Sequence, residues 1–136
     1  MTGEEEEKIG PVVEVTDRTF EHEVEKSERP VVVMFYSETC PHCATIMPYF
    51  QEMAREFGAR VRFARLDIAT NPWSIERFAI RSTPTFTFFC SGRALREIVG
   101  AVYPAVIKKQ IEEFERDGPE CARLSTEIRY DISGYA

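Results

Sequence analysis

Six consecutive apolar residues, Val31-Val32-Val33-Met34-Phe35-Tyr36, lead through Ser37-Glu38-Thr39 into Cys40-Pro41-His42-Cys43. This segment limits the possible folds more than any other. The run is continuous and opens on β-branched residues, the pattern of a central strand buried on both faces. The stretch from about Cys40 to Phe57 reads as a helix. Pro41 is tolerated because a first-turn residue has no intrahelical amide bond to lose. Pro48 sits in the interior and is expected to kink the helix. Gly58 is placed to end it.

Two cysteines three apart at a helix start lie on one side of the first turn. Their sulfurs can close a small, reversible disulfide. The unpaired amides and the positive end of the helix dipole stabilise an anion there. Cysteines in such positions have pKa values lowered to roughly 3.5–7.5, and the thiolate is the nucleophile. Cys40, nearer the N-terminus and more exposed, is expected to attack a disulfide. Cys43, one turn in, is expected to resolve the mixed disulfide. A protonated His42 would stabilise the Cys40 thiolate and favour the reduced form, so Pro41 and His42 are read as redox-tuning residues. Zinc usually needs two further ligands, and Cys90, Cys121, His22 and His42 are scattered. No metal site is therefore expected. Cys90 and Cys121 are read as isolated thiols, with a second disulfide between them conceivable if the tail folds back. Trp73 and Tyr49 are read as packing residues, and Phe86 with Phe88 as a core stripe.

The rest of the chain alternates. Val12–Val15 is a short strand. Asp17 looks like the cap of a helix over 18–26, with Phe20 and Val24 on one face. Val61–Leu66 is a strand, and Asn71-Pro72 opens a short helix through Phe78. Thr85–Phe89 and Leu95–Val99 are strands joined at Ser91-Gly92. Residues 104–116 form an amphipathic helix. The order predicts an α/β sandwich, a mixed sheet of about five strands flanked by about four helices. Residues 1–10 read as a flexible acidic lead-in, 11–116 as the domain and 117–136 as a C-terminal extension. In that extension Ile128, Tyr130 and Ile132 alternate, which suits either a short strand or disorder.

Length allows one domain: 136 residues cannot hold two full cores. Residues 1–30 carry ten Asp/Glu against four Lys/Arg, and the remainder carries thirteen of each. The net charge of −6 is thus an N-terminal feature, and nothing in it supports nucleic-acid binding. No apolar run approaches the ~20 residues of a membrane span. The acidic start lacks the basic n-region of an export signal, so the cytoplasm is the expected compartment.

Over residues 10–116 the sequence resembles the thioredoxin family. The resemblance is carried by Val33–Cys43, by Pro48, and by Leu66-Asp67-Ile68 with Asn71-Pro72. Ser82-Thr83-Pro84-Thr85-Phe86, Ser91-Gly92 and Val99-Gly100-Ala101 carry it further. It implies a thioredoxin-like fold and a thiol–disulfide oxidoreductase that exchanges with disulfides of partner proteins. It also implies a cis bond before Pro84 opposite the cysteines, with the Thr83 backbone pairing with the substrate chain. No cofactor is implied. Electrons would come from a separate, unidentified reductase, either flavin-linked or thiol-based, and the protein would act as a monomer.

Several positions depart from the family pattern. Met34 stands where thioredoxins carry a buried Asp that helps deprotonate the second cysteine. Thr39 replaces the usual Trp, and Arg65 the usual third-strand Lys. The motif interior is Pro-His rather than Gly-Pro, as in exported bacterial thiol oxidases, whose helical insertion this chain has no room for. Water or Glu38 would then have to serve as the base for Cys43. These departures leave a second expectation beside the enzyme: a thioredoxin-like protein-binding module with a regulatory or idle cysteine pair. A peroxide-reducing enzyme is a third, without a peroxide pocket to recommend it.

Overall fold

A computed structural model of the chain describes residues 12–100 and 103–116, together with the backbone of 128–131. The strands are β1 (Val13–Glu14), β2 (Val31–Tyr36), β3 (Arg62–Asp67), β4 (Thr85–Cys90), β5 (Arg93–Val99) and β6 (Ile128–Asp131). The helices are α1 (Glu21–Glu25), α2 (Pro41–Phe57), α3 (Pro72–Arg77) and α4 (Pro104–Arg116). The strands form one sheet in the order β1-β3-β2-β4-β5-β6. β2 pairs parallel with β3 and antiparallel with β4, so the sheet is mixed as expected. The sixth strand is the addition. The alternating segment of the C-terminal extension forms a strand, parallel to β5.

The apolar run of β2 is buried along its whole length because both faces of the sheet are covered. Successive side chains of a strand point to opposite faces. Val32, Met34 and Tyr36 join Phe50, Phe86, Phe88, Ile107 and Ile111 in the core against α2 and α4. Val31, Val33 and Phe35 join Val15, Phe20, Leu66 and Phe89 on the other face. Phe86 and Phe88 are fully buried, as the stripe predicts. A register shift at Phe88/Phe89 lies in the β4–β5 pairing. The β4–β5 turn places both Ser91 and Gly92 at positive φ, 54° and 82°. At Gly92 an added Cβ would also sit tightly, 3.3 Å from the Glu25 carbonyl oxygen, which adds to the strain a side chain meets at that φ.

Three expectations are corrected. The first helix is shorter than residues 18–26 and wound as a π-turn, with the Lys26 amide donating to the Glu21 carbonyl at 2.9 Å. Asp17 does not cap it. The Asp17 carboxylate instead accepts from the amides of Trp73 (3.1 Å) and Ser74 (2.9 Å) and from the Ser74 hydroxyl (2.7 Å). It therefore caps α3 from another part of the chain, while the Asn71 side chain accepts from the Asp17 amide at 2.8 Å. Cap preferences are local rules, and the fold brought a more distant helix end within reach. Third, Cys90 is disulfide-bonded rather than an isolated thiol, because pairing depends on which thiols the fold brings together. Cys121 lies outside the described residues.

The α3 cap has a pH signature. Burial raises the Asp17 carboxyl, but the Ser74 and Trp73 donors outweigh it and hold the group below its ordinary 3.8. A depressed carboxylate stabilises the fold above the unfolded pKa, and that contribution is lost as pH falls through the folded value. Asp17→Ala is expected to cost about 1 kcal/mol at neutral pH. Denaturant midpoints of the two proteins should draw together as the pH falls below the ordinary carboxyl value of 3.8 and through the lower folded one.

Candidate active site

The site forms where β2 ends and α2 begins. The Cys40 amide donates to the Ser37 carbonyl at 3.1 Å, and the Thr39 amide to the Ser37 hydroxyl at 3.3 Å. These bonds turn the chain sharply out of the strand. Cys40 is then the N-cap of α2, with extended dihedrals (φ −91°, ψ 112°), and Pro41 is the first helical residue. In most helices an oxygen fills the capping role. Here it falls to sulfur: Cys40 Sγ accepts the Cys43 amide at 3.2 Å.

Both cysteines of the motif are free thiols in this structure. Cys40 is partly exposed, whereas Cys43 is only 2% exposed. That difference separates their chemistry. Burial pushes the Cys40 thiol up. The Cys43 thiol, Thr83 and the amides of Cys43 and His42 bond to its sulfur and together hold it below the ordinary 9.0. Burial also pushes Cys43 up, and the adjacent Cys40 adds to it, so its thiol lies at about 11. Cys40 is thus the thiol closer to ionising near neutrality.

Thr83 and Pro84 lie opposite the motif. Their peptide bond is cis, as the resemblance implies. Cys40 Sγ is 3.6 Å from the Thr83 carbonyl. The Thr85 hydroxyl donates to the Ser82 carbonyl at 2.7 Å and pins this segment. The Gly100 amide donates to the Pro84 carbonyl at 3.1 Å. The fold therefore gathers Cys40, Cys43, Thr83 and Pro84 although about 40 residues separate the two segments in the chain. His42 and Pro41 are exposed on the first turn of α2, and the bond from His42 to Cys40 comes from its backbone amide.

Met34 is fully buried in the same core cluster as Cys43, so an apolar side chain occupies that β2 position. Sequence reading also missed the role of Glu14. On β1 it pairs in register with Arg65 of β3. Its carboxylate accepts from Arg65 Nε at 2.5 Å and from the Tyr36 hydroxyl at 2.8 Å. The Arg65 guanidinium also lies over the Tyr36 ring, 5.0 Å from its centroid. Burial and the Glu14 carboxylate push the Tyr36 phenol up. The cross-strand Glu–Arg pair could be foreseen only once β1 was known to lie beside β3.

Trp73 and Tyr49, read as packing residues, are 76% and 50% exposed. No helix among the described residues is long and apolar enough to cross a membrane.

The thioredoxin family model matches residues 11–113. The chain is 38% identical over 94 residues to a thioredoxin of Acidithiobacillus ferridurans, covering 69% of this chain and 87% of that one. It is 37% identical over 92 residues to a thioredoxin of Streptomyces clavuligerus, covering 68% and 85%. A bifunctional thioredoxin reductase/thioredoxin of Mycobacterium leprae is 34% identical over 104 residues, which is 76% of this chain and 23% of that larger protein. A sulfur capping a helix, a buried thiol one turn on and a cis-proline facing them are joined by a matching sequence over most of the length, and on that ground the chain belongs to the thioredoxin family and is a thiol–disulfide oxidoreductase.

Proposed function

We propose that Cys40 is the attacking thiol and Cys43 the resolving thiol in reduction of disulfides in partner proteins. The observation that carries this reading is the Cys43 amide donating to Cys40 Sγ at 3.2 Å, which stabilises the thiolate on the exposed sulfur and not on the buried one. The Cys40 thiolate attacks one sulfur of the substrate disulfide and expels the other as a thiolate. Cys43, once deprotonated, attacks Cys40 Sγ and expels the second substrate thiolate. Two electrons pass to the substrate, and Cys40–Cys43 is left as a disulfide.

An extended substrate segment docks along the Thr83 backbone beside Pro84. Pro41 and His42 set the potential of the couple from the first helical turn. Electrons return from a reductase, a reading supported by the Mycobacterium leprae relative, whose name joins both activities. The protein acts as a monomer, with one domain over 11–116 flanked by the segments 1–10 and 117–136. A cytoplasmic site of action is part of this reading. There the Cys90 disulfide would be a redox-sensing bond, since cytosolic thiols are otherwise kept reduced.

Insulin reduction with dithiothreitol as electron source tests the assignment. Turnover by the wild type is expected to fall to background in Cys40→Ser. Turnover that persists in that variant, or none in the wild type, would refute it.

A further inference from the structure

A groove of about 270 Å³ opens beside the cysteine pair, between α2 and the start of α4. Its floor is Ile46, Phe86 and Pro84, all buried. Its rims are Tyr49 on α2 and Tyr103 just before α4. These rings are 50% and 81% exposed, two of the four large hydrophobic side chains exposed among the described residues. Val106, a third, lies in the first turn of α4, its amide donating to the Tyr103 carbonyl at 3.0 Å. The polar groups of the lining are the tyrosine hydroxyls, Thr45 and His42; no carboxylate lines the groove among the described residues.

The groove is continuous with the redox site. Pro84 belongs to both, and the carbonyl of its neighbour Thr83 is 3.6 Å from Cys40 Sγ. A polypeptide whose disulfide sulfur reaches Cys40 passes beside Thr83 and Pro84, and so beside the groove that Pro84 helps to line. We infer that this groove is a specificity pocket that takes one aromatic side chain next to the cysteine of the substrate protein, held between Tyr49 and Tyr103. Aromatic rings pack favourably edge-on or offset against such rims and cover the apolar floor. A lysine there would set its ammonium against that apolar floor, with no carboxylate to pair with among the described lining residues. Glycine would leave the pocket unfilled. The inference rests on Cys40 as the attacking thiol and names the substrate class that this thiol meets.

The test uses three peptide disulfides identical except for Phe, Gly or Lys beside the cysteine. Wild-type kcat/KM is expected to be about tenfold higher for Phe than for either other peptide. In the Tyr49→Ala/Tyr103→Ala double variant the three should fall within about twofold of one another. Equal values in the wild type, or a preference that survives the double substitution, would overturn the pocket. Reduction of 2-hydroxyethyl disulfide by the wild type reports separately on the exchange chemistry. Versions of the Phe and Lys peptides with Ser in place of Cys, titrated into the reduced protein, read the pocket with no reaction. Resonances of Thr45, Tyr49 and Tyr103 should move with the Phe peptide, and their failure to move would overturn the inference even if no disulfide is turned over.

Discussion

Cys43→Ser is expected to convert the protein into a covalent trap. Attack by Cys40 needs only its own thiolate, which the amides at the start of α2 stabilise. Release needs a second nucleophile one turn further in, and serine is not ionised near neutrality. Incubation with a disulfide-containing protein should then accumulate a conjugate that dithiothreitol dissolves. The wild type should show little of it, and Cys40→Ser none. Intact-mass measurement before and after reduction checks this. A conjugate that forms equally in Cys40→Ser would reverse the two roles.

The second large effect is the pH dependence of resolution. A thiol near about 11 is ionised to only about one part in ten thousand at pH 7, and the ionised fraction rises about tenfold per pH unit below its pKa. Burial is the leading cause of the shift and persists when Cys40 is bonded to substrate. Met34 supplies no base beneath Cys43. Decay of a preformed mixed disulfide on the wild type should therefore quicken about tenfold between pH 7 and pH 8 and go on rising for as long as the pH stays below the Cys43 pKa. Alkylation of Cys40 in the reduced protein should level off at lower pH, since its thiol lies below 9.0. Single-turnover stopped-flow across this range measures the first, and mass-resolved iodoacetamide labelling the second. A flat decay rate would show that a group other than solvent base serves Cys43, with Glu38 the side chain to replace first.

Both predictions come from residues adjacent in the chain, and the same holds for much of the architecture. The apolar run of β2 could be read as a doubly buried strand because six unbroken hydrophobic residues have no polar side to turn toward water. The CxxC at a helix start could be read as a nucleophile because helix geometry alone places the amides under the sulfur. Ser91-Gly92 marked its turn because few other pairs accept two positive φ values. The alternation in 128–131 suited a strand, yet alternation alone names no partner strand, and β6 required the free edge of β5.

What the sequence determined by itself was set within a few residues: the strand–turn–helix unit at Cys40, the candidate redox pair and, the first helix's bounds and cap aside, the order of elements. Only the tertiary structure decided the features that join distant segments. It moved Asp17 from its own helix to α3, set Glu14 against Arg65 and Tyr36, bonded Cys90, and left Tyr49 and Tyr103 exposed along a groove that reaches the cysteines. The reason is physical. Backbone preferences and helix electrostatics act over one or two turns of chain, whereas the partner of a carboxylate, a thiol or an aromatic ring depends on how the whole core packs.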